Sequence, residues 1–260
     1  MPQAEAASRD APMIETRGLS RRFGDFHAVS DVDLRVAPNQ VHSVIGPNGA
    51  GKSTLFNLLA GALAPTRGTI AFAGRDVTRL PDAERVHLGM ARSFQITSLF
   101  AQLTVRENLR LAAQAVMRGR AACFWKPVAS LGEAADIADG LLARLGMQRL
   151  AGLPAGTLAH GQQRMLEVGM CLAARPRLLL LDEPTSGMGV NDLPMMRELI
   201  RDAARDHTVV LIEHNMGIVL TISDRITVMA QGRVLAEGTA DQIRGHPDVQ
   251  RAYLGTGALS

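Results

Sequence analysis

At 260 residues with 47% hydrophobic side chains, the chain is long enough for one large domain, or a domain carrying a subdomain, around a sizeable core. Its net charge of +3 comes from 28 basic residues dispersed among 25 acidic ones, and one Trp, one Tyr and seven Phe offer no platform for stacking bases, so no nucleic-acid partner is expected. Apolar runs are strand-sized and Met1 to Met13 lacks the apolar stretch of a signal peptide, which argues against a spanning helix or a secreted chain. Cys123 and Cys171 have neither disulfide-framework nor metal-site spacing, suit a reducing cytosol, and read as small buried apolar residues.

Residues 1–12, small, polar and Ala-rich, read as a disordered tail. From Ile14 to Val36 the pattern is alternating strands with a turn at Gly24-Asp25. Thr69 to Ala73 with the turn Gly74-Arg75-Asp76 adds another strand, so a small antiparallel sheet is expected at the amino end. Val41–Ile45, Leu178–Leu181 and Thr208–Ile212 are continuously apolar or β-branched, as parallel strands buried on both faces require. Between about Leu103 and Gly156 strand signals give way to Ala, Leu and Arg at helical spacing, in Val105–Val116 and Glu133–Leu145. There Leu109, Ala112, Ala113 and Val116 share a face; Gly119 to Leu131, which holds the Trp, carries no assignment. Strands alternating with helices imply an α/β fold that binds ligands at the carboxyl ends of its strands.

The motifs sit at those ends. Gly46-Pro47-Asn48-Gly49-Ala50-Gly51-Lys52-Ser53-Thr54 follows the first apolar strand and precedes the helix-like Leu55 to Leu59. Gly46, Gly49 and Gly51 let the backbone curl so that successive N–H groups point at phosphate oxygens, and the following helix aims its positive end at the same place. Lys52 adds a mobile charge for the β and γ phosphates, and the Ser53 hydroxyl can ligate Mg²⁺. Such a loop implies a bound nucleoside triphosphate. Leu178–Leu181 runs into Asp182, suited to hold Mg²⁺, and Glu183, placed to polarise an attacking water. His214, after Glu213, closes the third apolar strand close to where a γ phosphate must lie.

In order, Gly46–Thr54, Gln95, Leu158-Ala159-His160-Gly161-Gln162, Leu178–Glu183 and His214 resemble the ATP-binding subunit of ABC transporters, from about Met13 to Gly255. The resemblance implies a P-loop NTPase (RecA-like) α/β core with a mainly parallel sheet, an amino-terminal antiparallel β subdomain and a helical signature subdomain over about residues 97–175, all within a domain spanning 13–255. It implies ATP and Mg²⁺, with Glu183, His214 and Gln95 as catalytic residues and Ser53, Gln95 and Asp182 around the metal. Phe23 would stack on adenine, with Phe26 as its competitor. Ala159, Gly161 and Gln162 would open a helix whose amino end meets the γ phosphate held by a second copy, so that ATP joins two chains and hydrolysis releases them.

Two departures stand out. Ala159 and His160 occupy positions where the family usually has Ser and Gly, so backbone N–H groups must carry more of the phosphate contact. Gly189 stands where an Asp usually helps couple the two sites. Within the family, the chain resembles the branched-chain amino acid importers in Ile212-Glu213-His214-Asn215-Met216, Ile222-Ser223-Asp224-Arg225-Ile226, and the tail through Arg251-Ala252-Tyr253-Leu254-Gly255. Relatives in that clade serve urea, amide, aromatic-acid or lipopolysaccharide transport, and a non-transport ATPase would carry two fused cores or a long coiled coil. The implied partners are a second ATP-binding subunit, identical or not, two transmembrane permease subunits and, indirectly, a periplasmic binding protein, at the cytoplasmic face of the bacterial inner membrane. A permease helix is expected in an apolar groove formed by residues such as Ile96, Leu99 and Phe100.

Overall fold

The computed structural model describes residues 11–93, 99–115 and 132–254. Gln95, Val116, Cys123, the Trp-bearing stretch and most of the amino-terminal tail lie outside them. In chain order, β1 (Ile14–Phe23) and β2 (Phe26–Val36) form a hairpin, followed by β3 (Val41–Ile45) and α1 (Lys52–Ala60). Next come β4 (Arg67–Phe72), β5 (Arg75–Asp76), α2 (Asp82–His87) and β6 (Met90–Arg92). The helical region contributes α3 (Val105–Ala115), α4 (Gly132–Arg144) and α5 (His160–Ala173). The chain then alternates through β7 (Leu178–Asp182), α6 (Leu193–Ala203), β8 (Thr208–Ile212), α7 (Met216–Ile222), β9 (Arg225–Ala230) and β10 (Arg233–Gly238), and ends on α8 (Ala240–Arg244) and α9 (Pro247–Leu254).

Two sheets result. The first, in the order β2-β1-β4-β5, is antiparallel throughout, as the alternating amino-terminal pattern implies. Its third strand starts two residues before the expected Thr69, and Ala73 belongs to the turn, with φ 48°. The second sheet runs β10-β9-β3-β8-β7-β6; only the β9–β10 pair is antiparallel. Continuous apolar runs build its centre because both faces are covered. Leu179, Leu181, Val209 and Leu211 join the core beneath α5 and α6, whereas Leu178, Leu180, Val210 and Ile212 join the one shared with α1 and the antiparallel sheet. Leu109 and Ala113 of α3 are buried as expected, alongside Ala138 and Leu141 of α4.

Two polar features hold the layers together. Arg85 of α2 is fully buried and donates to the carbonyls of Leu58 and Leu59 at the end of α1, and to those of Val77 and Leu80. A cation at the carboxyl end of α1 opposes the negative end of its dipole, while burial pulls the guanidinium pKa down to about 10. In the turn between β9 and β10, Gly232 accepts from Ser30 N–H at 2.8 Å and donates to Ala50 O at 3.0 Å, tying the antiparallel sheet to the loop before α1.

His42, in the middle of β3, is also fully buried. Its Nε2 lies 2.7 Å from Thr227 Oγ1 and its Nδ1 has no partner among the described residues. Burial, then the charge of Arg225, push the imidazole pKa from 6.5 down to about 4. Between those values the unfolded chain binds the proton and the folded chain does not, so stability falls as pH drops through that window. Urea unfolding followed from pH 7 to pH 4 is expected to lose up to about 3 kcal/mol through this residue. The slope should flatten in His42→Asn.

Candidate functional site

The carboxyl ends of three central strands lie flush: Val44 pairs with Ile212, and Ile212 with Asp182. All the site's chemistry hangs from those ends. After β3 the backbone turns through Gly46 at φ 154° and Gly51 at φ 97°. A Cβ would come within 2.2 Å of Met229 O at Gly46 and 2.3 Å of Ala28 O at Gly51. Only glycine fits where main chain approaches main chain so closely. Gly51 caps α1, whose first-turn N–H groups therefore open into the loop without intrahelical partners. Lys52 is nearly buried, and its Nζ donates to Gly46 O at 2.6 Å and Pro47 O at 3.0 Å. Burial lowers its pKa, opposed by the carboxylates of Glu183 and Asp182. An anion in the loop would relieve the cost of burying this ammonium.

Asp182 is buried at the end of β7. Its Oδ2 accepts from Arg92 at 3.2 Å, and Arg92 also donates to Asn57 Oδ1 of α1 at 2.6 Å. Ser93 Oγ accepts the Asp182 N–H at 3.1 Å. Asp182 Oδ1 is buried without a hydrogen-bond partner among the described residues. That orphaned oxygen suits a hard cation. Among the described residues no cluster of three or more His, Cys, Asp or Glu could cage a metal. Ser53 and Asp182 are the residues that could hold Mg²⁺, and Gln95 lies outside the described residues.

Glu183 follows in a left-handed conformation, φ 52°, at a cost of about 1–3 kcal/mol for a residue with a Cβ. Its N–H donates to Ile212 O at 2.9 Å, and its carboxylate lies 3.2 Å from His214 Nε2. A cavity of about 240 Å³ is lined by the loop from Asn48 to Thr54, by Ala28 and Phe26, and by Glu183. The Glu183 carboxylate and the glycine loop therefore share one space. Phe23 and Phe26 pair across the β1–β2 hairpin and both are exposed. The Arg21 guanidinium stacks 4.7 Å over Phe23, and Phe26 is the one that lines the cavity.

The signature segment stands apart. Ala159 precedes α5, and its N–H is taken by Gln162 Oε1 at 3.1 Å. Gly161 packs against Asp192, whose Oδ2 would lie 2.4 Å from an added Cβ. None of Ala159, Gly161 and Gln162 lines the phosphate-loop cavity.

A second cavity, about 470 Å³ and more apolar, opens between α2, β6, α3 and α5, with Val86, Ala112 and Met170 among its walls. Of the residues expected to form an apolar groove, Ile96 lies outside the described residues. Leu99 packs partly buried against the helical core, Phe100 is 53% exposed, and neither lines this cavity. Cys171 faces the cavity half-buried, rather than buried, with its thiol pKa pushed up to about 12 by burial and by Glu167. Sequence reasoning also missed Arg92, Asn57 and Thr185. Their pairings join segments far apart in the chain, and no motif announces them.

The family model described as ABC transporter matches residues 29–186, and one described as branched-chain amino acid ATP-binding cassette transporter matches residues 233–258. The chain is 43% identical to the high-affinity branched-chain amino acid transport ATP-binding protein BraF of Pseudomonas aeruginosa, covering 94% of this chain and 98% of BraF. It is 42% identical, with the same coverage, to the LivG protein of the same description from Escherichia coli. Among solved structures it is similar to a nucleotide-free ATP-binding cassette from an ABC transporter, with TM-score 0.82 and 29% identity over 93% of this chain and 98% of that one.

The glycine geometry carries a test. Gly51→Ala meets backbone that cannot yield and should lose about 2 kcal/mol or more of unfolding free energy together with nucleotide affinity. Gly49, at φ 79° with open space around its Cα, is expected to tolerate Ala with a smaller loss. Urea denaturation and equilibrium dialysis with ATP would read both.

Proposed function

The chain belongs to the ABC transporter family of ATP-binding proteins, and from that membership we propose that it is the ATP-hydrolysing subunit of a branched-chain amino acid importer. ATP binding and hydrolysis coupled to transport come with the family. The cargo rests on the carboxyl-terminal family match and on the named activities of the BraF and LivG relatives. One observation carries the site assignment: Glu183 shares a cavity with the phosphate loop and lies 3.2 Å from His214.

In this reading the loop N–H groups of Gly49 to Thr54 and the Lys52 ammonium bind the triphosphate. Ser53 and Asp182, with Gln95, hold Mg²⁺, which when bound neutralises charge on the phosphate oxygens. Glu183 accepts a hydrogen bond and then the proton from the attacking water as the water oxygen bonds the γ phosphorus and the bond to the β–γ bridging oxygen breaks, releasing ADP. His214 steadies that carboxylate and reaches the γ phosphate. Phe23 or Phe26 stacks on the adenine; lining the cavity favours Phe26. Since the signature residues do not line that cavity, Ala159, Gly161 and Gln162 act on the nucleotide of a second ATP-binding subunit, closing two chains around ATP.

The apolar cavity beside α3 and α5 is the surface for a permease helix, two permeases serving the dimer. A periplasmic binding protein would deliver cargo to those permeases. No helix among the described residues is long and apolar enough to cross a membrane, so attachment to the cytoplasmic face of the bacterial inner membrane would run through those partners.

Glu183→Gln is expected to keep ATP affinity while hydrolysis drops about 10²-fold or more, the scale of losing a general base. Lys52→Ala should weaken ATP binding itself. Phosphate release and calorimetric titration with ATP separate the two, and parental turnover in Glu183→Gln would contradict the assignment. Leucine uptake by vesicles holding the assembled transporter tests the cargo.

A further inference from the structure

We propose that Glu213 is a positioning residue that ties the turn after Glu183 to the turn carrying His214, so holding those two side chains at working distance. This rests on the catalytic reading of Glu183 and His214 given above. The last ladder pair between β7 and β8 is Asp182 with Ile212. Beyond it one more backbone bond, Glu183 N–H to Ile212 O at 2.9 Å, ties the two segments, and past that point strand pairing no longer fixes their separation. Glu213 takes over that task.

Its side chain is 2% exposed, yet no Lys, Arg or His pairs with it among the described residues. Four donors satisfy it instead. Oε1 accepts from Thr185 N–H at 3.0 Å and from the Thr185 hydroxyl at 2.5 Å. Oε2 accepts from His214 N–H at 3.0 Å and from Asn215 N–H at 3.3 Å. One oxygen thus serves the segment after Glu183, and the other serves the segment of His214. A buried carboxylate filled by donors from two segments locks their relative position, because releasing either leaves polar groups unpaired. Along the chain Glu183, in its left-handed conformation, lies between the last ladder residue, Asp182, and the Thr185 anchor, so the clamp keeps it from relaxing. Asn215 extends the chain of contacts, since its Oδ1 accepts Ile218 N–H at the start of α7.

Glu213→Gln tests this in the full chain with Mg²⁺ and ATP. Its amide has one acceptor oxygen, so it can serve one segment but turns an NH₂ group toward the donors of the other. The expected result is a fall in kcat of about 10-fold or more with ATP Kd within about 2-fold of the parent, the split left by losing alignment rather than binding. Thr185→Val should lower kcat in the same sense, and Thr185→Ser, which restores the hydroxyl, should recover most of the loss. Adding Thr185→Val to Glu213→Gln should cost little more, because both cut one link.

Parental kcat in Glu213→Gln and Thr185→Val, fully additive losses, or a parallel loss of ATP affinity would overturn the clamp. Should Glu213→Gln fail to fold, the Thr185 pair decides alone: equal kcat in Val and Ser overturns the proposal. Glu183→Gln run alongside separates the two readings. Full turnover there sinks the catalytic assignment itself, whereas an inactive Glu183→Gln beside a fully active Glu213→Gln sinks only the clamp.

Discussion

The parallel pairing of β3 with β8 and of β8 with β7 is the constraint on which the rest depends. It joins segments far apart in the chain, and the entropy of closing such long loops grows only slowly with their length. Each strand recovers that cost by hiding apolar side chains on both faces at once. Because the register is fixed, the strands end together, and Gly46, Glu183 and His214 emerge side by side. A one-residue slip of β7 would send Leu178 and Leu180 to the opposite face and withdraw Asp182 from the site. Core packing and site geometry are therefore one problem with one solution.

The site concentrates charges of both signs with few internal partners. Lys52 leans on two carbonyl oxygens, Asp182 uses one oxygen on Arg92 and leaves the other unpaired, and Glu183 faces a histidine. A core built only for stability would avoid such groups. A triphosphate with a cation would suit all of them together: the anion would meet Lys52 and the helix end, and the cation would meet the Asp182 oxygen. Arg92, held by Asn57, takes one Asp182 oxygen and leaves the other without a hydrogen bond among the described residues. Arg92 also borders the larger apolar cavity, so one side chain spans both features.

How much was legible follows from where the information lies. Buried strands announce themselves as uninterrupted apolar runs, and the antiparallel sheet as alternation punctuated by Gly24 and Gly74, so fold class and the strands β1 to β4, β7 and β8 could be read directly, whereas β6, β9 and β10 were not expected. The phosphate loop was equally plain, because its glycines answer to local backbone geometry. Partnerships across the chain were not. Nothing local to Arg92 points to Asp182, and nothing in Thr185 points to Glu213, since only the sheet brings them together. Nor does sequence separate Leu99 from Phe100: Leu99 packs against the helical core, whereas Phe100 stays exposed. The family resemblance put Phe23 on the adenine with Phe26 as its competitor; both stand at the hairpin end, and Phe26 is the one that lines the cavity beside the loop.

The departures at Ala159, His160 and Gly189 have a physical connection that sequence alone did not show. Ala159 brings no hydroxyl, and its own N–H is occupied by Gln162 Oε1, so an anion at the start of α5 would have to be met by the N–H groups of His160, Gly161 and Gln162. His160 is not idle, since its Nε2 lies 3.4 Å from Ser186 O and close against Gly187, where an added Cβ would meet the ring at 2.8 Å. The imidazole thus touches the turn that follows β7, three residues beyond Glu183. Gly189 supplies no side chain, His160 reaches that turn from α5, Asp192 packs beside Gly161, and Met188 packs partly buried against the core that α5 shares. Movement of α5 would then be felt at the Glu183 turn through a ring packed on backbone, a steric link that works without the missing carboxylate.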